Sequence, residues 1–222
     1  MVVEEKLDEA TALDRTASQK LGLRERQRVD RGEKILSATF ELLAERGYEA
    51  LTMELLAERV GISRQTLYHH FSSKDEITLR ALLKIIEKGI RTIESIDPGL
   101  SPVVRLERVL RWMLNLRFQP APAAFVKVRP ALAPIKNHPD YLRAFERRAQ
   151  AVERIVDEAQ NAGEIRNSVP SSIIVQMLLS IACEGRYEDA IEAGQITSPD
   201  LINGVVELFF SGICPLNDQK TR

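Results

Sequence analysis

Gly47-Tyr-Glu-Ala-Leu-Thr52-Met-Glu-Leu-Leu-Ala-Glu-Arg-Val-Gly61-Ile-Ser63-Arg-Gln-Thr-Leu-Tyr-His-His-Phe71-Ser-Ser-Lys-Asp-Glu-Ile77 is the stretch that decides the fold. Thr52 is a helix cap, and the spacing predicts a helix over 53–60. Gly61 ends it with a sharp turn. Ser63 caps a second short helix through His70. Ser73-Lys-Asp-Glu76 reads as a capping box opening a long helix to about Ser95, which Asp97-Pro-Gly closes. Leu55, Leu56, Val60, Ile62, Leu67 and Phe71 are placed to pack with Phe40 and Leu43 of a preceding helix. The predicted unit is a pair of helices whose second member projects an outer face able to enter a major groove about 12 Å wide.

That outer face suits DNA. Thr52 and Ser63 combine hydroxyls with helix N-termini. Arg64 and Gln65 lead the second helix, and these side chains match guanine and adenine edges in bidentate fashion. Thr66 and Tyr68 follow, with Tyr68 and Lys74 as phosphate donors. His69 and His70 are candidates for phosphate or base contact. From Arg59 to Lys74 there are three full positive charges (Arg59, Arg64, Lys74) and no acidic residue. Such a basic stripe suits a phosphate backbone.

Upstream, Ile35, Leu36, Thr39, Phe40 and Leu43 recur at helical spacing, predicting a helix from about Arg31 to Arg46. Asp30 is its expected cap, with Glu33 three residues on, and Gly47 its stop. Residues 1–28 are polar and read as a flexible extension. Arg24, Arg26 and Arg28 give it an alternative role as an arm reaching DNA.

Downstream, helices are predicted over about 102–118, 139–161, 170–192 and 198–211, with short helices and turns in the proline-rich stretch 120–139. No alternating strand pattern and no repeat appears, so the fold class is all-α. In helix 139–161, Leu142, Phe145, Ala149, Val152, Ile155 and Val156 share one side. In helix 170–192, Ile173, Ile174, Met177, Leu178 and Ile181 lie on one side, with Val175, Leu179 and Ala182 on others. A helix apolar nearly all round needs cover on more than one face. A second subunit or the protomer's own core would supply it.

The overall net charge is −1, which by itself favours no partner. The start Met1-Val-Val-Glu-Glu lacks the basic and apolar regions of a signal peptide. The longest apolar stretch, Ile173 to Cys183, is too short for a bilayer. A cytoplasmic, nucleoid-associated location without membrane attachment is expected. Cys183 and Cys214 are too few for a disulfide framework. His69 and His70 are adjacent and face different ways, so no metal is expected, and no cofactor motif is present. The nucleophile elbow, zincin, P-loop and dinucleotide signatures are all missing, so no enzyme is expected.

Gly47-Tyr48, Thr52, Ala57, Gly61-Ile62-Ser63, Thr66-Leu67-Tyr68, Phe71 and Ser73-Lys74-Asp75-Glu76 together resemble the TetR family of regulators, over about residues 29–89. Leu56 stands where the family often has Ile, and Gln65 where it usually has Gly. The resemblance implies a DNA-binding domain at 29–89, with its motif at 52–71, and a ligand-binding and dimerisation domain at 90–222. It implies a homodimer joined through the last long helices, bound to double-stranded operator DNA. It further implies a repressor that a small organic effector releases from a palindromic operator. Trp112, Asn115, Phe118, Phe125, Tyr141, Phe145, Glu184 and Tyr187 are candidates for the effector pocket, as aromatic walls with a few polar anchors. A helical core made of the same aromatics is the alternative. An effector-independent DNA-binding activator and a helical interaction module that no longer binds DNA are the alternative functions.

Overall fold

The computed structural model describes residues 22–119, 123, 132–184, 187, 190–191 and 193–215. Its regular structure is helical, with no strand among the described residues. The helices are α1 (Leu23–Arg46), α2 (Met53–Val60), α3 (Arg64–His70), α4 (Lys74–Glu94), α5 (Pro102–Leu116), α6 (Ala133–Lys136), α7 (Pro139–Asn161), α8 (Ser171–Glu184) and α9 (Ser198–Ile213).

Two large cores are strung along α4, with a smaller cluster of Ile86, Ile90 and Ala144 as a third. The first, in the amino-terminal head, gathers Ile35, Leu42 and Leu43 of α1, Leu56 of α2, Leu67 of α3 and Ile77 of α4, all nearly inaccessible to water. Leu55, Val60, Ile62 and Phe40 pack against it and Phe71 joins it, as the sequence spacing requires. The second core joins Ile93 of α4 to Leu106, Leu110 and Leu114 of α5, Val152 and Val156 of α7, Leu178 of α8 and Ile202 of α9. At 21 residues, α4 is about 31 Å long, enough to belong to both. It crosses the expected 89/90 boundary without a break.

The head does not close with its own residues alone. Leu132 and Ile135, at and inside α6, are 2% and 3% exposed and belong to the head core. The short helix before α7 therefore plugs the head from the body side. Outside the head, α7 packs against α4, α5 and α8, and α5 packs against α8 and α9.

Several expectations are corrected. Helix α1 begins at Leu23, with Gly22 at its cap and no side-chain cap bond. Asp30 is an exposed residue inside the helix, so it caps nothing. The Arg, Glu and Gln residues before it are good helix formers and carry the helix back without any apolar stripe. Helix α8 ends at Glu184 rather than 192, because Tyr187 is not helical. For the apolar side of α7, where both covers were left open, the protomer's own core covers Val152, Ile155 and Val156, at most 2% exposed, while Leu142 and Phe145 stay on the surface.

Distant capping also shapes the body. The backbone N–H of Val103, in the first turn of α5, donates to Glu164 at 2.8 Å. A carboxylate there satisfies an orphan donor and complements the helix dipole.

Candidate nucleic-acid interface

Local chemistry sets the geometry of α2 and α3. Thr52 Oγ1 accepts from the backbone N–H of Leu55 at 3.1 Å, and Ser63 Oγ accepts from that of Thr66 at 3.1 Å. Between them, Gly61 takes φ +73, ψ 36. The Gly61 N–H donates to Glu58 O, and the Ile62 N–H reaches back to Ala57 O at 3.0 Å. This is the double bond pattern of a helix ended by a left-handed residue. It turns the chain sharply enough to place α3 across α2.

The faces of α3 divide cleanly. Leu67 is fully buried and Phe71, just past its end, is 9% exposed. Arg64, Gln65, Tyr68 and His69 are exposed, and Thr66 and His70 lie half-buried at the flanks. Tyr68 keeps 48% of its surface, unusual for a tyrosine on a packed helix. Thr52 and Ser63 are exposed at the caps of α2 and α3, and Lys74 begins α4, half-buried.

The expected basic stripe is modified by ion pairs. Arg59 turns toward α1, where it bonds Glu45 at 2.6 Å and Glu41 at 3.3 Å. The bonded guanidinium holds the Glu45 carboxyl below its ordinary value. Arg59 thus leaves the stripe, because two carboxylates on the neighbouring helix outcompete solvent. Arg64 pairs with Glu54 of α2, a residue the sequence pattern did not single out. Their proximity depends on the angle between α2 and α3, which spacing alone does not give. Lys74 places Nζ 4.5 Å from the centre of the Tyr48 ring and 3.4 Å from Tyr48 O.

At the start of α4, Ser73 caps Glu76 N at 3.1 Å. The expected reciprocal half of the capping box differs. Glu76 Oε2 accepts from the backbone N–H and hydroxyl of Ser72, each at 2.7 Å. Those two donors, the backbone one foremost, lower its carboxyl below the usual range. His70 is held below the ordinary histidine value, first by burial and then by the nearby Arg31, Arg28 and His69 charges. The amino-terminal part of α1 therefore brings arginines beside the end of α3.

The aromatic residues of the body do not form one group. Trp112, Phe118 and Tyr187 pack against the second core, and the Arg117 guanidinium lies 5.2 Å from the Tyr187 ring centre. Tyr141 and Phe145 pair with each other at 6.2 Å, and Tyr141 packs toward Ile86 and Ile90 of α4. Asn115 is exposed, with its amide donating to Arg111 O at 2.8 Å. Phe125 and the side chain of Glu184 lie outside the described residues. A separate cleft of about 510 Å³ opens where the head meets α6 and α7, between Ser72, Glu76 and Arg80 on one side and Ile135, His138 and Asp140 on the other.

Among the described residues, no group of His, Cys, Asp and Glu is arranged to hold a metal ion. No described helix is long and apolar enough to cross a membrane.

Comparison with known proteins agrees with this geometry. Residues 35–81 match the family model described as bacterial regulatory proteins, tetR family. The chain is similar to the HTH-type transcriptional repressor KstR of Rhodococcus jostii, with 36% identity over 81 residues, covering 36% of this chain and 38% of that protein. It is 39% identical over 67 residues to the HTH-type transcriptional activator FasR of Mycolicibacterium smegmatis, covering 29% of this chain and 31% of that protein. These alignments span well under half the length of either relative. The fold is similar to that of the transcriptional regulator FadR from Bacillus subtilis, solved in complex with stearoyl-CoA. There the TM-score is 0.70 at 20% identity, covering 82% of this chain and 98% of that one. Residues 35–81 thus carry the head that the tetR family model describes, and the fold as a whole is similar to that of a solved transcriptional regulator.

Proposed function

We propose that this chain is a cytoplasmic, nucleoid-associated transcription repressor. It binds a palindromic operator as a homodimer and leaves it when a small organic effector binds the body. The observation that carries this function is the outward face of α3. Arg64, Gln65, Tyr68 and His69 stand exposed on a helix that Leu67 and Phe71 anchor from behind. A rigid helix presenting guanidinium, amide and phenol groups has the donors and acceptors that base edges and phosphates require.

The dimer is supported by an apolar surface on the last helices. Ile173 and Met177 of α8 are 46% and 54% exposed, and Leu208 of α9 is 75% exposed. Large apolar side chains left exposed on these two helices suit cover by a second subunit. Trp112, Phe118 and Tyr187, partly buried against the second core, are the candidates for the apolar part of an effector, and the stearoyl-CoA bound by the FadR of similar fold makes an acyl compound the first class to try. The activator name of FasR favours a second sign of control by the same DNA-binding head.

Selection of bound duplexes from a random pool with the full chain tests the function. An enriched inverted repeat supports a dimeric regulator. Only salt-sensitive retention of all sequences would overturn operator recognition. Release of the enriched duplex by an acyl compound would support the effector, and its position relative to the promoter would separate repressor from activator.

A further inference from the structure

The Arg64 side chain is not presented freely. It is the first residue of α3, and its Nη2 is paired with Oε1 of Glu54, the second residue of α2. The two side chains remain 61% and 53% exposed, so the pair lies on the outside of the head. Exposed pairs of this kind add little to folding stability, because water screens them and both chains lose rotamer freedom. A structural role therefore accounts poorly for it. Of the three cations between residues 59 and 74, Arg59 turns inward to α1 and Lys74 sits on Tyr48. Arg64 is the member of that set whose carboxylate partner stands beside the DNA-facing surface.

The chemistry of a guanidinium makes the pair useful rather than inhibitory. The group is planar and carries five N–H donors in a fixed fork. Nη2 holds two of them, and one acceptor oxygen of Glu54 needs one. If Glu54 takes the hydrogen on the Nε side, the Nη1–Nη2 edge stays complete. If it takes the other, the Nε–Nη2 edge stays complete. Either way a two-donor edge remains, which is what guanine O6 and N7 require. An untethered arginine would instead swing to the nearest phosphate, a contact that carries no sequence information. A carboxylate at the same surface also repels every phosphate backbone alike.

Resting on the reading of α3 as the groove helix, we propose that Glu54 is a specificity-determining positioning residue. It holds the Arg64 guanidinium for a guanine in the operator and weakens binding to unrelated DNA. Affinity is reduced for all sequences, and discrimination is gained at one base pair.

The test uses the full chain and the duplex enriched from a random pool. Wild type, Glu54→Gln, Arg64→Ala and the double variant are titrated against three kinds of duplex. These are the enriched duplex, the same duplex with each G·C pair replaced in turn, and an unrelated duplex. Glu54→Gln is expected to bind the unrelated duplex about two- to fivefold more tightly, having lost one repulsive charge. It is expected to lose about three- to tenfold of discrimination at the G·C pair that Arg64→Ala also identifies, a part of what one bidentate contact supplies. In the Arg64→Ala background, Glu54→Gln should leave base preference unchanged.

Glu54→Gln tightening all duplexes equally, with base preference intact, would overturn the proposal and leave Glu54 a source of repulsion only. A change of preference without Arg64 would also overturn it, pointing to Glu54 reading a cytosine amino group itself. If the wild type enriches an inverted repeat but Arg64→Ala alters no single position, the proposal fails while the regulator stands. If the wild type enriches nothing, both fall.

Discussion

The Tyr48 hydroxyl donates to Asp75 Oδ1 at 2.5 Å, joining the turn after α1 to the first turn of α4. Tyr48 is 8% exposed, and burial, followed by the bond to Asp75, pushes its phenol well above the ordinary tyrosine value. It therefore stays a proton donor at any pH the protein tolerates. The turn that starts the DNA-binding pair is thereby tied to the helix that links head and body.

Tyr48→Phe keeps the buried ring and removes the donor. Asp75 is exposed and regains water, so the loss should be modest, about 1 kcal/mol. Urea unfolding of the variant checks this. An unchanged midpoint would mean the bond adds nothing to the head.

Gly61→Val should cost more for a different reason. A Cβ at Gly61 meets no atom within 4 Å, so space is not at issue. The φ of +73° is, and a non-glycine residue there costs roughly 1–2 kcal/mol or more when β-branched. Gly61→Asn should be tolerated better, because Asn visits this region. Equal destabilisation of the two variants by urea unfolding would remove the backbone explanation.

Lys74→Ala and Gln65→Ala should separate phosphate from base contact. Lys74→Ala is expected to weaken binding to all duplexes and to reduce the slope of log affinity against log salt by about one. Gln65→Ala should change preference at one base pair with little effect on unrelated DNA. Titrations against the selected duplex and a scrambled one measure both. Indistinguishable effects would refute the division.

Acid should destabilise the head in two separate windows. The Glu76 carboxyl is lowered below 4.5 by its Ser72 donors, so the folded state holds fewer protons than the unfolded state in that range. Its contribution is complete above about 4.5 and is lost as pH falls through the lower folded value. His70 is lowered below 6.5, chiefly by burial. The unfolded chain again binds more protons, so stability is full above about 6.5 and declines as pH falls toward the folded value. Unfolding midpoints followed from neutral to acid pH should flatten in the lower window for Glu76→Gln and in the upper one for His70→Gln. A profile identical to wild type in either variant would reject that assignment.

The legible part of the molecule was the part governed by short range. The caps Thr52, Ser63 and Ser73 lie within three residues of the N–H groups they satisfy, and the stop at Gly61 needs only its own φ. The bounds of α2, α3 and α4 follow from them. The start of α1 was less legible because Arg, Glu and Gln propagate a helix without any apolar period to mark it.

What the sequence by itself determined is the helix-turn-helix: its caps, its glycine turn, the inward Leu67 and Phe71, and the outward Arg64, Gln65, Tyr68 and His69. Local hydrogen bonds and a 3.6-residue period suffice for all of these. Only the tertiary structure decided that Arg59 belongs to α1 and Arg64 to Glu54, that Leu132 and Ile135 plug the head, and that the body aromatics divide between two clusters. Each of those depends on the angle or distance between helices far apart in the chain. Such angles are settled by packing of whole helix faces, not by the spacing of residues along one of them.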